Sequence, residues 1–189
     1  FFLTLFYLFF AHGLDYPFEP SQMILIEAFI IGAPATVISL QSNKEKVQGK
    51  FILNVLRASL PGALAILLFN VAIYYLTIFG SSFEMFEIPG LKTAFPTIML
   101  IISVFVCLAV LYRMCKPFNT LRIIIFTLSA TICVLGIVFG HKIEFVNEFL
   151  KLTKLDLVQT LFVIICLLLI NPMLDISQRI LNGFSKVKI

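Results

Sequence analysis

The chain has 189 residues, of which 60% are hydrophobic and only 13% are charged, with a formal net charge of +4. Soluble domains average about 45–50% apolar and about 25% charged residues, so this composition excludes an ordinary soluble domain and favours lipid as the solvent. The four cysteines have no C-x-x-C spacing and lie in or beside apolar runs, which is typical of packing residues and not of metal ligands or disulfides.

Apolar runs of membrane-spanning length recur along the chain. About 20 apolar residues cross a bilayer as a helix. On that rule there is one partial span, followed by five complete ones, at residues 1–12, 21–40, 58–79, 95–112, 123–140 and 157–174. None alternates with period two, which excludes a membrane β-barrel. We predict an all-α, polytopic transmembrane helical bundle that forms a single domain over residues 1–189.

The N-terminal run has no basic region and no small-residue cleavage site, so it is a poor signal peptide. We expect it to be the end of a membrane helix that starts before Phe1. On this interpretation a preceding part of the same polypeptide is a partner of the chain.

The connections between spans divide by charge. Those on one side, with the tail, carry ten of the 14 basic residues against two acids: Lys44, Lys46, Lys50, Arg57, Arg113, Lys116, Arg122, Arg179, Lys186 and Lys188, against Glu45 and Asp175. The opposite loops are mainly acidic: Asp15, Glu19, Glu84, Glu87, Glu144, Glu148 and Asp156, against four lysines. The positive-inside rule predicts a multi-pass protein of the cell membrane with a cytoplasmic C-terminus. Because topology accounts for the basic residues, we expect the lipid bilayer, and no nucleic acid, as a partner.

Glu27 is the one acid well inside a predicted span. An ionisable side chain at the centre of a membrane helix costs about 2.5–3.5 kcal/mol, so it needs a compensating partner, a proton or a cation. Pro34 removes the N–H that would bond the Ile30 carbonyl, and Gly32 adds flexibility beside it. A carboxylate near freed carbonyls is a cation-site pattern. The alternative is a packing kink beside a protonated Glu27 that bonds to a neighbour.

Two further polar positions lie in the spans. Asn70 is a weak candidate partner for Glu27, although an interhelical hydrogen bond that only joins helices explains it better. Asn171 and Pro172 predict a kink in the last span. Asp175, just beyond it, is expected to be solvated or paired with Arg179.

The sequence carries no motif for soluble enzyme chemistry. It lacks G-x-x-x-x-G-K-[ST], G-x-S-x-G and H-E-x-x-H. The basic connections are about ten residues long, too short for a nucleotide-binding domain. We expect no catalytic residue and no cofactor site within the chain.

Residues 16–51, YPFEPSQMILIEAFIIGAPATVISLQSNKEKVQGKF, resemble the membrane C-terminus of a bacterial P-type cation-transporting ATPase. In that family a proline-containing outer loop opens the sixth membrane helix, and G-x-P-[AS] follows within the helix. The matching positions are Pro20, Gln22, Glu27, Gly32, Pro34 and Ala35. "LPGAL" at residues 60–64 and the later spans also resemble these pumps. The chain then corresponds to the end of the fifth helix and the sixth to tenth helices.

The resemblance implies a mechanism. ATP, with Mg²⁺, phosphorylates a cytoplasmic aspartate in a D-K-T-G-T motif outside this chain, and the membrane helices move and release a bound cation. It implies that Glu27 is a cation ligand or carries a counter-transported proton, that the Ile30 carbonyl joins it, and that Gly32 and Pro34 unwind the helix. Ile31 stands where calcium and sodium pumps usually carry a second acid, so the resemblance implies one ion, with calcium or another divalent cation weakly favoured.

The sequence is also compatible with two other functions. One is a self-contained small membrane protein, a channel subunit or scaffold, in which Glu27 is a buried structural polar group. The other is half of a secondary transporter, which predicts an inverted repeat that the sequence does not display.

Overall fold

The computed structural model describes residues 2–10, 16–40, 51–80 and 88–186, without the side chains of residues 2, 51–58, 141 and 181–186. In these ranges the chain is helical with short connections and contains no strand, which confirms the all-α prediction. The basic loop 41–50, the acids Asp15, Glu84 and Glu87, and the end of the partial span at His12 lie outside the described residues. The predicted sidedness therefore stays a prediction.

Eight α-helices and one π-helical segment make up most of the described chain. In chain order they are α1 (Phe2–Phe9), α2 (Pro20–Ile26), the π segment (Glu27–Gly32), α3 (Ala33–Ser39), α4 (Phe51–Gly80), α5 (Leu91–Met114), α6 (Thr120–Phe139), α7 (Glu144–Leu150) and α8 (Leu157–Lys186). A short 3₁₀ turn, Gly140–Lys142, joins α6 to α7.

Five helical stretches are long and apolar enough to cross a membrane: Pro20–Ser39, Ser59–Gly80, Leu91–Met114, Thr120–Phe139 and Leu157–Ile180. They confirm the five predicted spans, and their ends differ from the predicted ends by up to six residues. We call Pro20–Ser39 the π-containing helix, because α2, the π segment and α3 follow one another in it. The third span starts early because Gly90 adopts a left-handed φ of 67° and the helix begins at the next residue.

Helix α5 lies at the centre of the bundle. In its most apolar stretch 72% of the residues are buried, the largest share among the five spans. It packs against α4 and α8 on one side and against α6 and the π segment on the other. Gly62 permits the close approach of α4, since a Cβ atom there would lie 2.7 Å from a methyl carbon of Val110.

Polar contacts tie the helix ends together. At one end the Gln22 Nε2 donates to the Leu150 carbonyl at 2.8 Å, and Lys151 pairs with Glu19. At the other end Arg113 pairs with Asp175 at 2.7 Å. Asp175 was expected to be solvated or paired with Arg179. Its side chain is 61% exposed, but its partner is Arg113, because α5 brings a guanidinium to this carboxylate from another helix.

Helix α8 runs without interruption past Asn171 and Pro172. The guanidinium of Arg113 also donates to the Asn171 carbonyl, at 3.3 Å. A neighbouring helix thus supplies a donor in the turn that contains the proline.

Candidate cation site

The start of the π-containing helix determines the depth of Glu27. Glu19 has an extended backbone, with φ −92° and ψ 154°, and Pro20 is the first helical residue, where its missing N–H costs nothing. The Gln22 Oε1 accepts the Glu19 N–H at 3.2 Å and fixes this start. Glu27 then lies about 10 Å along the axis, at about 1.5 Å per residue. Its carboxylate is therefore inside the span and not at its end.

The helix does not break at Gly32 and Pro34 but widens just before them. The π segment is a wide turn with hydrogen bonds between residues five apart, a feature that often occurs at functional sites. Gly32 suits this geometry, since a Cβ atom there would lie 2.9 Å from the Glu27 carbonyl oxygen. The predicted unwinding is thus replaced by a local change of helical register.

The wide turn leaves backbone carbonyls short of donors. The N–H of Ala33 donates to the Ala28 carbonyl, five residues back, so the Phe29 carbonyl loses the donor that an α-helix would provide. The next N–H that could reach Phe29 would belong to Pro34, which has none. This carbonyl was not identified from the sequence, because the sequence indicates the proline and not the π register.

The Ile30 carbonyl loses the Pro34 N–H for the same reason. The Ile30 and Pro34 side chains are buried against the bundle, while Glu27 and Gly32 are exposed. The helix thus has one packed side and one uncovered side, and the acid belongs to the uncovered side. Farther along, the Thr36 hydroxyl donates to the Gly32 carbonyl at 2.8 Å, so that oxygen already has a partner.

An uncovered carboxylate inside a span has to be compensated. Charged side chains in membrane helices almost always face the protein interior or a water-filled cavity, because lipid offers them no hydrogen bonds. Glu27 has neither a basic partner nor a hydrogen bond among the described residues. The face that carries it is therefore suited to be covered by further protein, with water, a proton or an ion beside the carboxylate.

Asn70 does not bond to Glu27. Its side chain is fully buried, and its Nδ2 donates to the Ile66 carbonyl of its own helix at 2.8 Å. Its Oδ1 has no hydrogen-bond partner among the described residues. The sequence favoured a hydrogen bond from Asn70 to another helix. The structure instead contains a bond within α4, from the Asn70 amide to the Ile66 carbonyl.

The oxygen atoms on the π-containing helix would make up only part of a cation site. They are one carboxylate and the two carbonyls of Phe29 and Ile30. Calcium takes 6–8 oxygen ligands and magnesium six, several of them water. No cluster of three or more His, Cys, Asp or Glu side chains occurs in the described ranges. A cation held here would need further ligands from other helices or from water.

Ile31 stands at the position where calcium and sodium pumps usually carry a second acid. Its side chain is 55% exposed. It lines an apolar cavity together with Ile30 and Pro34. That cavity provides no oxygen ligand at this position, so the described oxygen atoms fit one ion better than two.

Comparison of the chain with protein-family models, with curated protein sequences and with solved structures finds no match. The site is defined by its own residues. Its defining features are an uncovered acid inside a span, a π turn that starts at that acid, and a proline at the end of the turn.

Proposed function

We propose that this chain is the C-terminal membrane portion of a P-type cation-transporting ATPase and that Glu27 is a ligand of the transported cation. The observation that carries the proposal is the exposed carboxylate on the unpacked face of the π-containing helix, followed at once by a π turn and Pro34. This helix corresponds to the sixth membrane helix of a P-type ATPase. The fourth and fifth membrane helices of the pump would cover its exposed face.

The two sides of the π-containing helix would have different tasks in transport. Ile26, Ile30 and Pro34 are buried on the packed side and would hold the helix on the bundle. Glu27 and the carbonyls of Phe29 and Ile30 would bind the ion on the other side. A carboxylate supplies charge, and carbonyls replace part of the ion's hydration shell. The π register keeps those carbonyls from being fully used by the helix itself.

Release of the ion would require these oxygen atoms to move apart. Phosphorylation of an aspartate by ATP and Mg²⁺, in a cytoplasmic part outside this chain, would supply the energy. The packed α4, α5 and α8 would be a support against which the π-containing helix moves. A π turn is a suitable place for such a movement, because a change between π and α register shifts one residue per turn and needs no broken helix.

Ion-dependent ATPase activity of the full-length protein tests the proposal. Glu27→Gln keeps the size of the side chain and removes its charge. We expect the cation concentration for half-maximal activity to rise at least about tenfold, since the affinity of oxygen sites follows ligand charge. The matched control is Glu148→Gln, an exposed acid of α7 outside the spans, which should leave that concentration unchanged. An unchanged value in Glu27→Gln would remove Glu27 from the site.

The alternative of a self-contained scaffold or channel subunit assigns Glu27 a buried structural role. Within this bundle the side chain is exposed, so that role would require a second molecule to cover it. Wild-type protein that shows no ATP-dependent activity, with Glu27→Gln that weakens self-association, would favour this alternative over the pump.

A further inference from the structure

An apolar groove lies beside Pro34, toward α4 and α5. It is a cavity of about 310 Å³ between the π-containing helix, α4 and α5. Its walls are almost wholly hydrocarbon and include Pro34, Ala63, Ile66, Leu111 and Met114. Because this cavity opens between spanning helices and not inside the packed core, it can be reached from the side of the bundle.

A second cavity, of about 280 Å³, adjoins the groove at the end of α5. The two share Gly62, Val110 and Met114 as walls. The second one adds Arg113, Lys116 and Gln178, so its character is basic and polar. We call it the basic pocket. The groove lies between the π-containing helix, α4 and α5, and the basic pocket lies between α4, α5 and α8, so their shared wall at the end of α5 has hydrocarbon on one side and two cationic side chains on the other.

Among the described residues that line the basic pocket, Lys116 is the cation available to a ligand. The Arg113 guanidinium donates hydrogen bonds to the Asp175 carboxylate at 2.7 Å, the Gln178 Oε1 at 3.1 Å and the Asn171 carbonyl at 3.3 Å. Lys116 is exposed, and its ammonium lies 4.8 Å from the centre of the Tyr112 ring. A lysine ammonium has three N–H donors, and a cation–π contact does not use them as hydrogen bonds.

We infer that the apolar groove and the basic pocket together bind one anionic phospholipid. An acyl chain would lie along the groove, and the phosphate would accept hydrogen bonds from Lys116. Basic pockets between spanning helices are suited to lipid headgroups, and anionic lipids are attracted by lysine and arginine near the membrane surface. The charge and shape match this ligand class: hydrocarbon inside the span and a cation at its end. The inference is independent of the proposed pump function.

Native mass spectrometry of the purified full-length protein tests this site. The protein is mixed with equal amounts of phosphatidylglycerol and phosphatidylcholine that have identical acyl chains. We expect one phosphatidylglycerol to be retained in preference. Lys116→Gln should lower that preference about fivefold, because one lysine near the surface is lost. Lys154→Gln, an exposed lysine between α7 and α8, should leave it unchanged.

A second variant tests the contribution of the apolar groove to lipid binding without changing any charge. Ala63→Phe places a ring in the groove from its exposed position on α4, and it should reduce retention of both lipids, with Lys116 still present. Equal loss of preference in Lys116→Gln and Lys154→Gln would overturn the site, since it would mean diffuse charge attraction. Unchanged lipid retention in Ala63→Phe would also overturn it, since the groove would then be closed by other protein. Because Lys116 is exposed, its variant is expected to fold.

Discussion

Helix α8 and the π-containing helix bury the same share of their most apolar stretches, 28% in each, yet they present different chemistry on the uncovered side. Between residues 161 and 169 every exposed residue of α8 is aliphatic: Leu161, Ile164, Ile165, Leu168 and Leu169. Lipid covers such a face at no cost. The π-containing helix also exposes apolar side chains, among them Ile24 and Ile31, but it exposes the carboxylate of Glu27 between them. Burial is equal in the two helices, so the chemistry of the exposed side chains is what distinguishes a helix suited to lipid from one suited to a further protein partner.

Mutations on the two sides of each helix test this difference. Changes on the packed sides of both helices should lower stability. Changes on the uncovered side of α8 should do little, and changes on the uncovered side of the π-containing helix should alter ion dependence.

The largest expected effect is on the packed side of α8. Leu174→Ala removes a side chain that is 1% exposed, and we expect a loss of at least about 2 kcal/mol of unfolding free energy, from lost apolar burial and from the cavity left behind. Leu168→Ala, at 73% exposure on the lipid side, should cost less than about 0.5 kcal/mol. Thermal unfolding in detergent measures both. Equal losses would show that the two sides of α8 are not distinguished by packing.

The packed side of the π-containing helix should respond to Gln22→Leu. This change removes the 2.8 Å hydrogen bond to the Leu150 carbonyl, which is buried with it. An unsatisfied buried carbonyl costs about 1–3 kcal/mol, so we expect a loss of about 1–2 kcal/mol. Urea unfolding measures it, with Ser39→Ala as a control, because that hydroxyl bonds in an exposed turn. A stability within error of wild type would contradict the assigned bond.

Gly32→Ala tests the uncovered side without changing charge. The added methyl group would lie 2.9 Å from the Glu27 carbonyl oxygen, so the π turn has to shift. We expect half-maximal ion concentration to rise several-fold, by about 1 kcal/mol, while the melting temperature changes little, since a glycine-to-alanine change also favours helix. A melting temperature that falls with no change in ion dependence would assign Gly32 to packing alone.

The smallest effect is expected at the Arg113–Asp175 pair. The Asp175 side chain is 61% exposed, so solvent screens the interaction. Asp175→Asn should cost less than about 1 kcal/mol, and the loss should shrink further in high salt. Unfolding at low and at high salt measures both effects. A loss of several kcal/mol that does not depend on salt would show that the pair is effectively buried.

Much of the fold follows from composition and run length alone. The five spans were predictable because a membrane-spanning helix needs about 20 apolar residues in sequence, whatever its neighbours are. The pairing of Asp175 was not predictable, since Arg179 is near in sequence while Arg113 is brought close only by the packing of α5 on α8. Separation along the sequence is a poor guide where helices far apart in the chain pack side by side, as the parallel α5 and α8 do.

The candidate site was predictable in part. An acid inside an apolar run and a following Gly-x-Pro are visible in the sequence, and they identify Glu27, Gly32 and Pro34. The π register could not be predicted from the sequence, because a single π turn inside an α-helix changes the hydrogen bonding by only one residue. The exposure of Glu27 and the burial of Asn70 depend on how the helices rotate against each other, which hydrophobic patterning does not determine in a helix that is apolar all round.

The most direct measurement is a titration of cation binding to the purified full-length protein, as wild type, Glu27→Gln and Glu148→Gln. A panel of Ca²⁺, Mg²⁺, Mn²⁺, Na⁺ and K⁺ first identifies the ion that the wild type binds. The account predicts binding at least about tenfold weaker in Glu27→Gln and unchanged in Glu148→Gln, with equal melting temperatures in all three. Equal affinity in Glu27→Gln and wild type would contradict the claim that the uncovered face of the π-containing helix holds the ion.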